Sequence, residues 1–219
     1  MATSGTFALA YDIAEFVEES FERCGIPAEK LTARHAVSAR RSVNLLFSEW
    51  ATLRIKLFAV DEQSQLLTDG DPTYTAATGT LAILHAVVRR SGVDTPVRAI
   101  SREAYHMIPS KTTEGSVTQL FFDRATGIYT LWNVPENSTD TLYYWRLRRL
   151  QSVTAAQETP DVPFEWYEAL TAGLAAKLAL KWAADRFDKL DGLASRAFAR
   201  ADKSQVETAD VEFDVGMGS

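Results

Sequence analysis

The side chains able to do chemistry in this 219-residue sequence are few, and they are scattered. Its histidines, His35, His85 and His106, stand far apart, and a metal site would need two of them to converge with a carboxylate such as Glu103. Glu103, Tyr105 and His106 are close enough in sequence to serve an unusual hydrolase, the one enzymatic alternative that the residues offer. The sole cysteine, Cys24, falls where a helix should end, and the negative end of a helix dipole raises a thiol pKa. It reads as a small buried residue rather than a nucleophile. Glu18, Glu19 and Glu22, like Asp185 with Asp188, fall on polar helix faces, where carboxylates are solvated.

The familiar loop signatures of catalysis are missing: no G-x-S-x-G, no G-x-x-x-x-G-K-[ST], no G-x-G-x-x-G and no H-E-x-x-H. The run from Lys111 to Gly115 lacks the glycine and the Gly-Lys order that a phosphate loop needs. No catalytic residue, metal or cofactor is therefore expected. One stripe could touch nucleic acid. In 141–150, Leu142, Tyr144, Arg146 and Arg148 share one face of a strand, and Tyr143, Trp145 and Leu147 the other. Tyrosine and arginine are the types that stack on bases and pair with phosphates. The same stripe also suits a solvated sheet face or an intersubunit contact with acidic helices. A net charge of −6 argues against non-specific binding to nucleic acid but is compatible with a channel wall past which DNA slides.

The elements that must position these residues fall into three regions. In residues 7–56, Ile13, Phe16, Val17 and Phe21 recur at helical spacing, Gly25 and Pro27 end the helix, and Thr32 is a candidate cap for a second one. The pattern is an αα-hairpin. In residues 57–152, runs at 81–89, 96–100, 117–123, 128–134 and 141–150 read as strands between turn signals such as Ser91-Gly92. The clearest pairing is an antiparallel hairpin of 119–123 with 129–133 around Gly127. In residues 153–202, Leu170, Leu174 and Leu178 make a stripe, and Ala172, Gly173, Ala175, Ala176 and Ala179 admit a close helix.

The expected fold is α+β: N- and C-terminal helices packed as a helical bundle, an inserted antiparallel β region, and an extended tail at 203–219. Trp50, Leu174, Leu178 and Trp182 are expected to be buried where the two ends meet. In the tail, Val211, Phe213 and Val215 alternate with Glu212 and Asp214. The segment is either a frayed end or a strand that orders on a partner. A hydrophobic content of 46% suffices for a core, a single cysteine suits a reducing cytosol, and the longest apolar stretch is broken by Lys177 and Lys181. Neither a signal peptide nor a membrane span is expected.

Taken in order, several short stretches carry a family resemblance. They are Ala39-Arg-Arg-Ser-Val-Asn-Leu-Leu-Phe-Ser-Glu-Trp50, Ile100-Ser-Arg-Glu-Ala-Tyr105, Ile108-Pro-Ser-Lys111 with Gly115, and Phe121-Phe-Asp-Arg124. Leu131-Trp-Asn-Val-Pro135, Leu142-Tyr-Tyr-Trp-Arg146, Trp166-Tyr-Glu-Ala-Leu170 and Ala199-Arg-Ala-Asp202 follow. The series resembles the head–tail adaptors of short-tailed bacteriophages, of the tail accessory or tail tubular protein A type, over about residues 10–202. That resemblance implies a virion protein made in the host cytoplasm and placed at the head–tail junction. It implies a homo-dodecameric ring under the portal protein, a tail nozzle or tube protein below, and DNA passing through the lumen without sequence-specific contact. The sequence departs from the family at Asn133, where an apolar or proline-rich run is usual, and in the acidic tail after Asp202.

Overall fold

A computed structural model describes residue 9, residues 11–53 and residues 57–204. Among the described residues the fold is mixed α+β. The helices are α1 (Ile13–Arg23), α2 (Ala33–Trp50), α3 (Arg102–His106), α4 (Tyr167–Trp182) and α5 (Phe187–Lys203). The strands are β1 (Val60–Leu66), β2 (Thr73–Thr75), β3 (Thr80–Arg90), β4 (Val93–Ile100), β5 (Gln119–Asp123), β6 (Ile128–Trp132) and β7 (Thr141–Arg148). Two compact units result, one from the chain up to Leu46 together with the chain from Val153 onward, the other from Phe47 to Ser152.

In the first unit, Asp12 and Glu15 start α1 with a capping box. The Glu15 N–H donates to Asp12 Oδ1 (3.0 Å) and the Asp12 N–H to Glu15 Oε2 (2.9 Å). The next free N–H groups, of Ile13 and Ala14, donate to the carbonyls of Glu158 and Ala156, so the returning chain satisfies the helix end. Gly25 ends α1 at φ +79°, a conformation open to glycine. From the turn after α4, Arg186 Nη1 donates to the Arg23 carbonyl (3.3 Å), tying down that same end.

Helix α4 has no polar side: from Ala169 to Ala179 only Lys177 escapes burial. It can be apolar all round because other helices cover it. Ser20 on α1, wholly buried, donates to the Thr171 carbonyl (3.1 Å), and Arg23 grips Glu168 with both terminal nitrogens (2.7 and 2.9 Å). On the α2 side, a Cβ on Gly173 would lie 3.0 Å from Leu46 Cδ2, so the missing side chain permits the close approach. Asn44 zips α2 to the returning chain: its Nδ2 donates to the Val153 carbonyl (3.1 Å) and its Oδ1 accepts the Val153 N–H (2.8 Å).

The second unit is a seven-stranded sheet in the order β1-β7-β3-β4-β5-β6-β2. The expected hairpin of β5 and β6 is present, with Asp123 opposite Ile128 beside the Gly127 turn. Ser91 (φ 51°) and Gly92 (φ 82°) make the two-residue turn from β3 to β4, both in the left-handed region that such hairpins require. The sheet is not wholly antiparallel, a correction to the expectation: β4 and β5 pair in parallel, Ala99 opposite Leu120. The long connection through α3 carries the chain back to the end from which β4 set out, as parallel pairing demands. Strands β1 and β2 were not foreseen. The polar sequence of β1 shows no alternation, and its register comes from β7 (Val60 opposite Leu147). The core includes Leu67, Leu120, Tyr129, Leu131, Leu142 and Tyr144.

Of the four residues expected in the helical core, Trp50, Leu174 and Leu178 are buried, at 3%, 0% and 0% exposure, with Trp50 belonging to the second unit. Trp182 is only half-buried, a second correction. It is the last residue of α4, its ring 5.5 Å from Phe21 and 5.1 Å from His35. The tail with Val211, Phe213 and Val215 lies outside the described residues.

Candidate functional site

The residues of the hydrolase alternative come from α3, whose start Ser101 caps by accepting the Ala104 N–H (3.1 Å). Glu103 and His106 are exposed, and Tyr105 stacks on Phe121 with ring centroids 5.4 Å apart. Lys111 Nζ donates to the carbonyls of His106 and Ile108, closing the loop beneath. A groove beside α3, lined by Arg102, Phe121 and Asp123 among others, does not include Glu103, Tyr105 or His106. Among the described residues no group of three His, Cys, Asp or Glu could hold a metal ion. No helix among them is long and apolar enough to cross a membrane. Where the family pattern breaks, Asn133 Nδ2 donates to the Ser116 carbonyl (3.1 Å) and Trp132 Nε1 to the Ser110 carbonyl (2.9 Å), holding the 107–118 loop to the end of β6.

Cys24 behaves as its position suggests. It is buried, its Sγ–H donates to the Ala175 carbonyl (3.4 Å), and burial pushes the thiol up against the smaller opposing effect of Arg186.

The β7 stripe is where the structure corrects the sequence reading most sharply. The face with Leu142, Tyr144 and Arg146 is turned into the core, at 0%, 3% and 7% exposure, while Trp145 on the opposite face is 46% exposed. Tyr144 uses its hydroxyl to accept the Ala77 N–H (3.3 Å). Arg146 Nε and Nη2 reach both oxygens of Asp61 on β1 (2.7 and 3.1 Å). Its Nη1 donates to the carbonyls of Ala77 and Thr78 and to Thr80 Oγ1 (2.9, 3.0 and 3.0 Å). A guanidinium so occupied is a clamp on the turn before β3, and neither it nor the Tyr144 ring can meet a base or phosphate. Arg148, half-buried, ends the same face. In return, Arg146 holds the Asp61 carboxyl below the usual carboxylate range, chiefly through these hydrogen bonds.

A different surface of the first unit collects charge that sequence reasoning missed. Arg34, Val37 and Arg41 lie at spacings of three and four on α2, hence on one stripe. With Ser38, and with Lys181 and Trp182 from α4, they line an open groove of about 640 Å³. Lys181 Nζ donates to the hydroxyls of Ser38 (3.1 Å) and Ser42 (2.7 Å). The available signal was the helical spacing of two arginines flanking an exposed valine; their partner residues stand some 140 positions away, beyond any local pattern (Lys181 and Ser38 are 143 apart).

In this protein charged side chains clamp turns and tie helix ends, and the apolar Leu45 and Leu180 stand exposed. Its class follows from the residues 25–213, which span both units and match a phage adaptor family: this is a structural adaptor. The family is the SU10 adaptor protein, and the chain belongs to it. No curated protein matches the chain.

Proposed function

We propose that the chain forms a ring, a homo-dodecamer in the virion, that joins the portal protein to the tail nozzle or tube protein and extends the DNA channel after packaging. The observation that carries this reading is the family match over residues 25–213. The narrower likeness to the tail tubular protein A type supplies the portal and the tail partner. In this reading the helices of the first unit form the bundle that packs against neighbours, and exposed Leu45 and Leu180 (63% and 61%) supply apolar contact area. The role is structural rather than catalytic. Val211, Phe213 and Val215 order on the portal or on a neighbouring subunit, and DNA passes without base-specific contact. The protein is made in the host cytoplasm and ends at the head–tail junction.

Mass measurement of the purified chain, alone and with portal rings, tests the reading. Rings are expected, either free or on the portal template. A chain that stays monomeric and ignores portals sinks it.

A further inference from the structure

We propose that the groove between α2 and the C-terminal end of α4 receives the acidic C-terminal segment, residues 210–215, of a second copy of this chain. This deepens the adaptor reading and rests on it, since it requires copies side by side.

The groove is a cationic site without an anion. Arg34, Arg41 and Lys181 line it, and no carboxylate does. Among the described residues neither arginine has an ion-pair partner. The first turn of α2 carries no acidic residue to complement its positive end, and Arg34 stands there instead. Lys181 is held below its ordinary range by burial first, and then by the neighbouring charges of Arg41 and Lys177. Like charges gathered around an apolar floor of Val37 and Trp182 repel one another until something negative joins them. Val37 is 42% exposed on that floor.

The chain itself carries a segment of matching chemistry. After Lys203 it has four carboxylates, Glu207, Asp210, Glu212 and Asp214, and no Lys or Arg. In an extended backbone Asp210, Glu212 and Asp214 recur about every 7 Å on one face, while Val211, Phe213 and Val215 take the other. The apolar face would lie on Val37 and Trp182, and the long side chains of Arg34 and Arg41 at the rim would reach round the strand to its carboxylates. The alternation of apolar and acidic residues is the pattern a strand needs to lie in a groove with a greasy floor and a basic rim.

Geometry favours a second copy over the same chain. Helices α4 and α5 are joined by a short turn and run antiparallel, with Phe198 of α5 against Trp166 at the start of α4 (5.4 Å). The tail therefore leaves from the end of α4 opposite Trp182. Fifteen residue steps of α4 span about 22 Å. The steps from Ser204 to Asp210, fully stretched, reach about 21 Å, leaving no slack to round the helices of its own unit. A neighbouring subunit imposes no such path.

The test uses full chains. One copy carries Val37→Cys and a differently tagged copy carries Phe213→Cys; they are mixed at high concentration and mildly oxidised. Native Cys24 is buried and does not compete. A cross-link between the two copies is expected. Arg34→Glu with Arg41→Glu in the groove copy should lower its yield about tenfold, as the loss of two partly exposed ion pairs implies. Glu212→Lys with Asp214→Lys in the tail copy should restore it, which a merely unfolded groove could not do. The proposal is overturned if the cross-link forms only within a chain carrying both cysteines, or if its yield ignores the charge reversals. It is equally overturned if no cross-link forms while a DNA duplex binds in a manner lost with Arg34→Glu and Arg41→Glu, which would make the groove a phosphate site. Ring formation on portals is measured in parallel. Normal rings without the cross-link remove the groove and leave the adaptor; a cross-link without rings removes the adaptor role and keeps the contact.

Discussion

Arg146 shows how much a single guanidinium can hold together. Its five hydrogen bonds join β7, β1 and the turn at 77–80, and Asp61 is the charge that makes its burial tolerable. Removing that charge by Asp61→Ala should destabilise the protein by about 2 kcal/mol, less than a fully buried pair would cost because the Asp61 side chain is 37% exposed. The folded-state pKa of Asp61 is depressed, so its contribution is fully present above the unfolded value near pH 4. It is lost as pH falls through the lower folded value. Urea denaturation at pH 7 and across pH 2–5 checks both: wild type should lose stability on acidification more steeply than Asp61→Asn. Equal acid limbs would mean that the pair contributes nothing.

At the scale of elements, two helical glycines make opposite predictions. Gly173 lies against Leu46, whose methyl would be 3.0 Å from an added Cβ, whereas Gly192 on α5 faces open space. Gly173→Leu should cost about 2 kcal/mol, because the α2–α4 contact has no room for four more carbons. Gly192→Ala should gain up to about 1 kcal/mol from helix propensity alone. Thermal unfolding of the two variants reads the contrast. A neutral Gly173→Leu would mean that α2 moves away from α4 at little cost. The run of small residues from Ala172 to Ala179 was visible in the sequence as a place for a close helix; which helix would fill it was not.

For the whole molecule, the question is what the tail does for assembly. Truncation after Ser204 keeps α5 intact, so the chain should retain its helical content and its unfolding midpoint. If Val211, Phe213 and Val215 order on a partner, portal attachment should weaken at least about tenfold, the effect of losing a few apolar contacts. Binding of truncated and full chains to portal rings, compared by titration, decides it; equal affinities would make the tail a frayed end.

What could be read from the residues alone was whatever local repetition encodes. A period near four marked α1, α2 and α4; a period of two with Gly127 marked the β5–β6 hairpin; Gly25 marked the end of α1. Such patterns arise from contacts between residues a few positions apart. The tertiary structure decided what depends on partners far along the chain. β7 has aromatic residues on both faces, so alternation could say that two faces exist but not which one meets the core; Asp61, 85 residues away, allows Arg146 inside. The parallel pairing of β4 with β5 depends on the path of a long connection, and β1 takes its register from β7 rather than from a pattern of its own. The cationic groove is the same case, because only the packing of α2 on α4 sets Arg34 and Arg41 beside Lys181, where electrostatic cost and binding potential both arise from proximity in space.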